Sequence, residues 1–126
     1  MDKHSMTICV VDDNPSVCKA LSRLIKSAGF KVKTYDSAQE FLNDGLSRDS
    51  DLLVLDVRMP GMNGLDLQNH LAALGYAIPI VFITAHEDSI AKTKAMAAGA
   101  VAFFQKPFDE KDLLGGIYKG LNLNNT

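Results

Sequence analysis

Four apolar residues, Leu52-Leu53-Val54-Leu55, run directly into one carboxylate, Asp56, and a Pro60-Gly61 turn follows. A short all-apolar run bounded by turn residues suits a strand covered on both faces, as in a parallel sheet. The pattern recurs along the chain. Thr7-Ile8-Cys9-Val10-Val11 ends on Asp12 and Asp13, and Ile78-Pro79-Ile80-Val81-Phe82-Ile83 ends on Thr84. Val101-Ala102-Phe103-Phe104 is soon followed by Lys106-Pro107. Lys31-Val32-Lys33-Thr34-Tyr35 alternates instead, which places it nearer an edge, where lysines discourage further pairing.

Helical signals separate these runs. Asn14-Pro15 opens a helix with proline at its first position, Val17, Leu21, Leu24, Ile25 and Ala28 recur at helical spacing, and Gly29 stops it. Ser37-Ala38-Gln39-Glu40 matches a capping box for a short helix ending near Gly45, and residues 46–50 read as a polar loop. A third helix is predicted over 65–74, ending at Gly75. Asp88 caps an alanine-rich helix reaching Ala98, whose weak apolar stripe predicts loose attachment. Asp109 starts the last helix, with Leu113, Leu114, Ile117, Tyr118 and Leu121 on its apolar face. Gly115 and Gly116 each cost that helix roughly 1 kcal/mol relative to alanine, which predicts a frayed end. Five strands alternating with five helices give an α/β, doubly wound parallel sheet with helices on both faces.

The 126 residues suit one domain, with a core over 7–121 and flexible ends at 1–6 and 122–126. Fifteen acidic and 13 basic residues are scattered, for a net charge of −2, and no basic stripe marks a nucleic-acid surface. Cys9 and Cys18 are too few for a disulfide framework or a metal site of their own. No secretory signal opens the chain, and no apolar run approaches the ~20 residues of a membrane helix, so a cytoplasmic location is expected.

Because the strands are parallel, Asp12, Asp13, Asp56, Thr84 and Lys106 fall on one edge of the sheet, where open α/β sheets hold ligands. Each alone has a bland explanation as a cap, a loop residue or a surface lysine. Together they are a site. Three neighbouring carboxylates need a cation, and oxygen ligands of this kind suit Mg2+. Lys106 and Thr84 would neutralise and hydrogen-bond a phosphoryl group, and Asp56 is a candidate nucleophile able to form an acyl phosphate.

The motifs Val10-Val11-Asp12-Asp13-Asn14, Leu55-Asp56-Val57-Arg58-Met59-Pro60-Gly61-Met62-Asn63-Gly64, Phe82-Ile83-Thr84-Ala85 and Lys106-Pro107-Phe108 stand in the order and spacing of a known family. The chain resembles a response-regulator receiver domain of two-component signalling over residues 7–121, and is most similar to the receivers of helix-turn-helix transcription regulators. The resemblance implies a flavodoxin-like fold with strand order 2-1-3-4-5. It makes Asp56 the acceptor of a phosphoryl group from a sensor histidine kinase. Asp13 and Asp56 would ligate Mg2+ directly, Asp12 mainly through water, and Arg58 through its main-chain carbonyl, with Mn2+ a candidate substitute. Lys106 would pair with Asp56 before phosphorylation, and its bond to Pro107 would be cis.

Further roles come with the family. Thr84 and Phe103 would form the switch, with plain core the alternative for Phe103 and core alone expected for Phe104. Arg58 and His86 occupy the positions that tune dephosphorylation, and neither readily orients an attacking water, so a persistent phosphoryl group is expected. His86 reads equally well as a solvated loop residue. The chain would be no conventional enzyme, but would catalyse its own phosphorylation and slow dephosphorylation.

The fourth helix, fifth strand and fifth helix would form the interaction face, with Lys94, Lys111 and Tyr118, for an output domain, a partner protein or a homodimer. The kinase would dock around the first helix, at Ser16, Lys19, Ala20 and Arg23. A stand-alone regulator acting by protein contacts is the alternative to control of a transcription output domain. An aspartyl phosphatase would want a second aspartate where Arg58 stands. A nucleotide-binding module would want a glycine-rich loop after the first strand, where Asp12-Asp13-Asn14-Pro15 lies. A receiver that no longer takes phosphate is opposed by the complete set of site residues.

Overall fold

The structure is a computed structural model that describes residues 3–44 and 50–123. Five strands, β1 (Thr7–Val11), β2 (Lys31–Tyr35), β3 (Ser50–Asp56), β4 (Ile80–Thr84) and β5 (Ala102–Gln105), form one all-parallel sheet in the order β2-β1-β3-β4-β5. The helices α1 (Pro15–Ser27), α2 (Ala38–Asp44), α3 (Gly64–Ala73), α4 (Ser89–Ala97) and α5 (Glu110–Gly120) alternate with them.

The period-two alternation of each strand splits the interior in two. Cys9, Val11, Leu53, Leu55 and Phe82 face α2, α3 and α4, meeting Phe41, Leu67, Leu71, Ala91 and Ala95. Ile8, Val10, Leu52, Val54, Val81 and Ile83 face α1 and α5, meeting Leu21, Ile25, Leu113 and Ile117. Every residue of β4 is buried, as are the last five of β3, so these central strands read as continuous apolar runs. The edge strand β2 instead exposes Lys31, Lys33 and Thr34.

The boundaries differ from the expected ones for local reasons. β4 begins at Ile80 rather than 78, although the Pro79 carbonyl still accepts from Leu53 N–H at 2.9 Å. β5 starts one residue late, after Val101 N–H donates to Ile80 O. α3 starts at Gly64 because Asn63 caps it, in a box whose return bond comes from Asp66. In α2 the predicted box is half realised: Ser37 Oγ accepts from Glu40 N–H, but Glu40 reaches Asp36 N–H instead of the cap's own amide.

α5 does not fray at its glycines; it continues to Gly120. A Cβ on Gly116 would lie 3.1 Å from the Phe104 ring, so this glycine is where helix and strand approach closely. The expected flexible ends are partly ordered. Lys3–Ser5 form a 3-10 turn, Met6 is buried with its carbonyl on Lys31 N–H, and Leu123 packs against the α1–α5 core. Residues 1–2 and 124–126, the predicted helix end at Gly45 and most of the predicted 46–50 loop lie outside the described residues.

Candidate functional site

The register of the sheet assembles the site. Val11 pairs with Leu55, and Asp56 pairs with Ile83, so Asp12, Asp56 and Thr84 emerge side by side at the carboxyl edge. Thr84 pairs with Gln105, and Lys106 N–H donates to Thr84 O at 2.7 Å, which fixes the lysine beside them. The Lys106–Pro107 peptide is cis. Asp12, Asp13 and Asp56 each offer a carboxylate oxygen, all within 4.8 Å of one another.

The three acids are unlike. Asp12 is buried and fully engaged: Oδ1 accepts from Asn14 N–H at 2.9 Å and Oδ2 from Lys106 Nζ at 3.1 Å. Asp13 is exposed. Asp56 is buried, and Oδ1 accepts only a long 3.4 Å bond from Arg58 N–H. Burial and the nearby Asp12 charge push its pKa up to about 6, against the opposing pull of Lys106 and the Arg58 amide. A carboxylate so disfavoured as an anion, next to two others, fits a divalent cation that would relieve all three.

The expected Lys106–Asp56 pair is not what the structure has. Lys106 Nζ pairs with Asp12, the more deeply buried acid, and reaches Asp56 only through its field. Thr84 is fully buried, with Oγ1 accepting from His86 N–H at 3.2 Å. His86 itself is exposed. Phe103 is half-buried beside Phe82, ring centroids 6.0 Å apart, and borders an open pocket with His86, Lys92 and Gln105. Phe104 lies on the other face, against the α1–α5 core, but is only half-buried.

Arg58 turns outward, its guanidinium on Asp88 Oδ2 at 2.8 Å. Ser16, Lys19, Ala20 and Arg23 are exposed along α1, and Lys94 and Lys111 are exposed on α4 and α5. Tyr118 lies on the expected apolar face of α5, its ring tilted against Phe30 with centroids 5.8 Å apart, in the core shared with α1, and so is turned from the interaction face also suggested for it. Cys9 and Cys18 are free thiols, as their number suggested, and the Cys18 thiol donates to Asp12 O.

Three residues contribute more to the site than the sequence reading gave them. Asn14 joins Asp12 to α1, since its N–H holds Asp12 while its side chain caps the helix. Gly64 lies so close to Asp56 that a Cβ would overlap the aspartate's main-chain oxygen and press on Phe82. Asp88, read as a cap alone, also holds Arg58. The Asn63-Gly64-x-Asp66 pattern was the available signal for the second; the third is a contact 30 residues apart that only the fold reveals.

A parallel sheet in this order, with an acidic pocket, a threonine and a lysine at its carboxyl edge, is the CheY-like arrangement of receiver folds. Residues 8–118 match the response regulator receiver domain, and the chain belongs to that family. It is 50% identical over 123 residues to the response regulator protein TmoT of Ectopseudomonas mendocina, covering 98% of this chain and 56% of that protein. It is 47% identical to TodT of Pseudomonas putida, covering 98% and 54%. Among solved structures it superimposes on the response regulator StyR at TM-score 0.86 and 51% identity, covering 94% of this chain and 60% of that one. FixJ-N gives TM-score 0.87 and 35% identity, covering 100% and 99%. The chain thus spans about half the length of these curated relatives.

Proposed function

We propose that Asp56 accepts a phosphoryl group from the phosphohistidine of a sensor kinase. The observation that carries this is the convergence of Asp12, Asp13 and Asp56 within 4.8 Å, with Lys106 and Thr84 beside them, in a chain of the receiver family. A carboxylate oxygen of Asp56 attacks phosphorus, the P–N bond breaks, and the imidazole leaves with the electron pair and takes up a proton. Asp13, Asp56 and the Arg58 carbonyl would hold Mg2+, or Mn2+ in its place, with Asp12 acting mainly through water; the ion supplies charge neutralisation to the phosphoryl oxygens. Lys106 then leaves Asp12 for the phosphoryl group, and Thr84 exchanges its bond from the His86 amide for one to a phosphoryl oxygen. Phe103 follows into the vacated space and the α4–β5–α5 face changes.

Arg58 and the exposed His86 set the phosphoryl lifetime, which we expect to be long. The kinase docks at the exposed α1 residues. Relatives named as transcriptional regulatory proteins, of about twice the matched length, support control of an output domain over a stand-alone regulator. Among the described residues no helix is long and apolar enough to cross a membrane, in keeping with a receiver that works in the cytoplasm. Incubation with Mg2+ and acetyl phosphate should add one phosphoryl group to the protein by intact mass, and Asp56→Asn should abolish it. Labelling that survives Asp56→Asn and maps elsewhere would falsify the assignment of the acceptor.

A further inference from the structure

Arg58 ties the loop after β3 to the loop before α4. Its main-chain N–H lies at Asp56 Oδ1, while its guanidinium pairs with Asp88, which follows β4. Asp88 is bidentate in function: Oδ2 holds Arg58, and Oδ1 accepts from Ala91 N–H as the N-cap of α4. The pair itself lines an open cleft of about 450 Å³ together with Met59, Pro60, Asn63, Leu65 and Ala91. The ion pair adds to an apolar contact, since Val57, Met59 and Ala91 share one buried core. The Arg58 side chain is 58% exposed and that of Asp88 19%, so the pair belongs to the weak, exchangeable class of ion pairs. A phosphoryl group carries more charge than a carboxylate and three acceptor oxygens, and it binds arginine more strongly.

We propose that Asp88 is a positioning residue for the acceptor site: it draws the Arg58 guanidinium away from Asp56, and a phosphoryl group on Asp56 competes for it. Phosphorylation then releases the Arg58 side chain from the first turn of α4, while the Ala91 cap remains in place. This rests on the receiver reading above and adds to it a second route from Asp56 to α4, separate from Thr84 and Phe103.

The test uses Asp88→Asn and Asp88→Ser, both of which keep a good N-cap while removing the charge. Each is made with Arg58 present and in an Arg58→Met background. The readout is the rate of loss of the Asp56 phosphoryl group and the affinity for beryllofluoride with Mg2+. With Arg58 present, both Asp88 variants should bind beryllofluoride more tightly and lose phosphate more slowly, by about two- to fivefold, the range that an exposed pair supports. In the Arg58→Met background the Asp88 effect should vanish. Equal effects in both backgrounds would mean that Asp88 acts only on α4, and no effect in either would mean that Arg58 is not contested; each overturns the proposal while leaving the receiver reading intact. A parent protein that takes up no phosphoryl group on Asp56 overturns that reading and this one together.

Discussion

Asp56 is held where burial and the charge of Asp12 both disfavour its anion, with its pKa pushed up to about 6. In the unfolded chain, where an ordinary aspartate titrates near 3.8, that proton leaves first as pH rises. Between about pH 4 and pH 6 the folded state binds more protons than the unfolded one, so stability falls with rising pH, and the penalty is complete above about 6. Asp56→Asn removes this titration. In metal-free buffer the variant should be more stable than the parent at pH 7 by about 1–3 kcal/mol, and the advantage should fade by about pH 4, as read from urea unfolding. An unchanged pH slope would refute the strained carboxylate. At this scale sequence could nominate residues but not pair them. It placed Lys106 at the right edge and gave it the wrong acid, because the choice between Asp12 and Asp56 depends on which is buried deeper.

Among the elements, α4 has the least apolar attachment, burying only Ala91 and Ala95 and exposing Ile90 and Met96. Its weak stripe and the Asp88 cap that fixes its first turn were legible in the sequence; the tie to α3 was not. The buried Gln68 of α3 donates through Nε2 to Ala95 O at 3.0 Å. Gln68→Met keeps the bulk and removes that bond, which should cost about 1 kcal/mol. Hydrogen exchange of the α4 amides should accelerate while α1 and α5 stay protected, and uniform acceleration would show that Gln68 serves the whole domain instead. Element ends followed from chemistry that periodicity does not report. Pro79 stays outside β4 yet its carbonyl accepts from Leu53 N–H of β3, and Asn63 starts α3 through a side-chain cap. Gly116, counted as a helix breaker, is where α5 meets Phe104, a contact invisible until the two elements are docked.

At the scale of the whole molecule the architecture was the most legible part, because five apolar runs separated by helical patterns admit few arrangements and the acidic edge follows from parallel strands. On the proposed function, the same acidic edge would couple folding to metal binding. A cation that binds only the folded carboxylates at ten times its dissociation constant should add about 1.4 kcal/mol to stability. The gain from Mg2+ should grow as pH rises through about 6 and shrink in Asp56→Asn, as measured by thermal melts; a gain independent of both would place the ion elsewhere. The sheet also partitions the interior: α4 and Phe103 rest on one core, α1 and α5 on the other. The rearrangement proposed from Thr84 through α4 would therefore repack chiefly the core under α4 and Phe103 and reach α5 across β5, on the side away from α1. A kinase docking on α1, as proposed, would meet the same surface before and after transfer, so the phosphorylated product would remain a competitor for its own donor. Turnover of such a pair would then be governed by how fast the output side removes product, and not by any loss of recognition at the kinase.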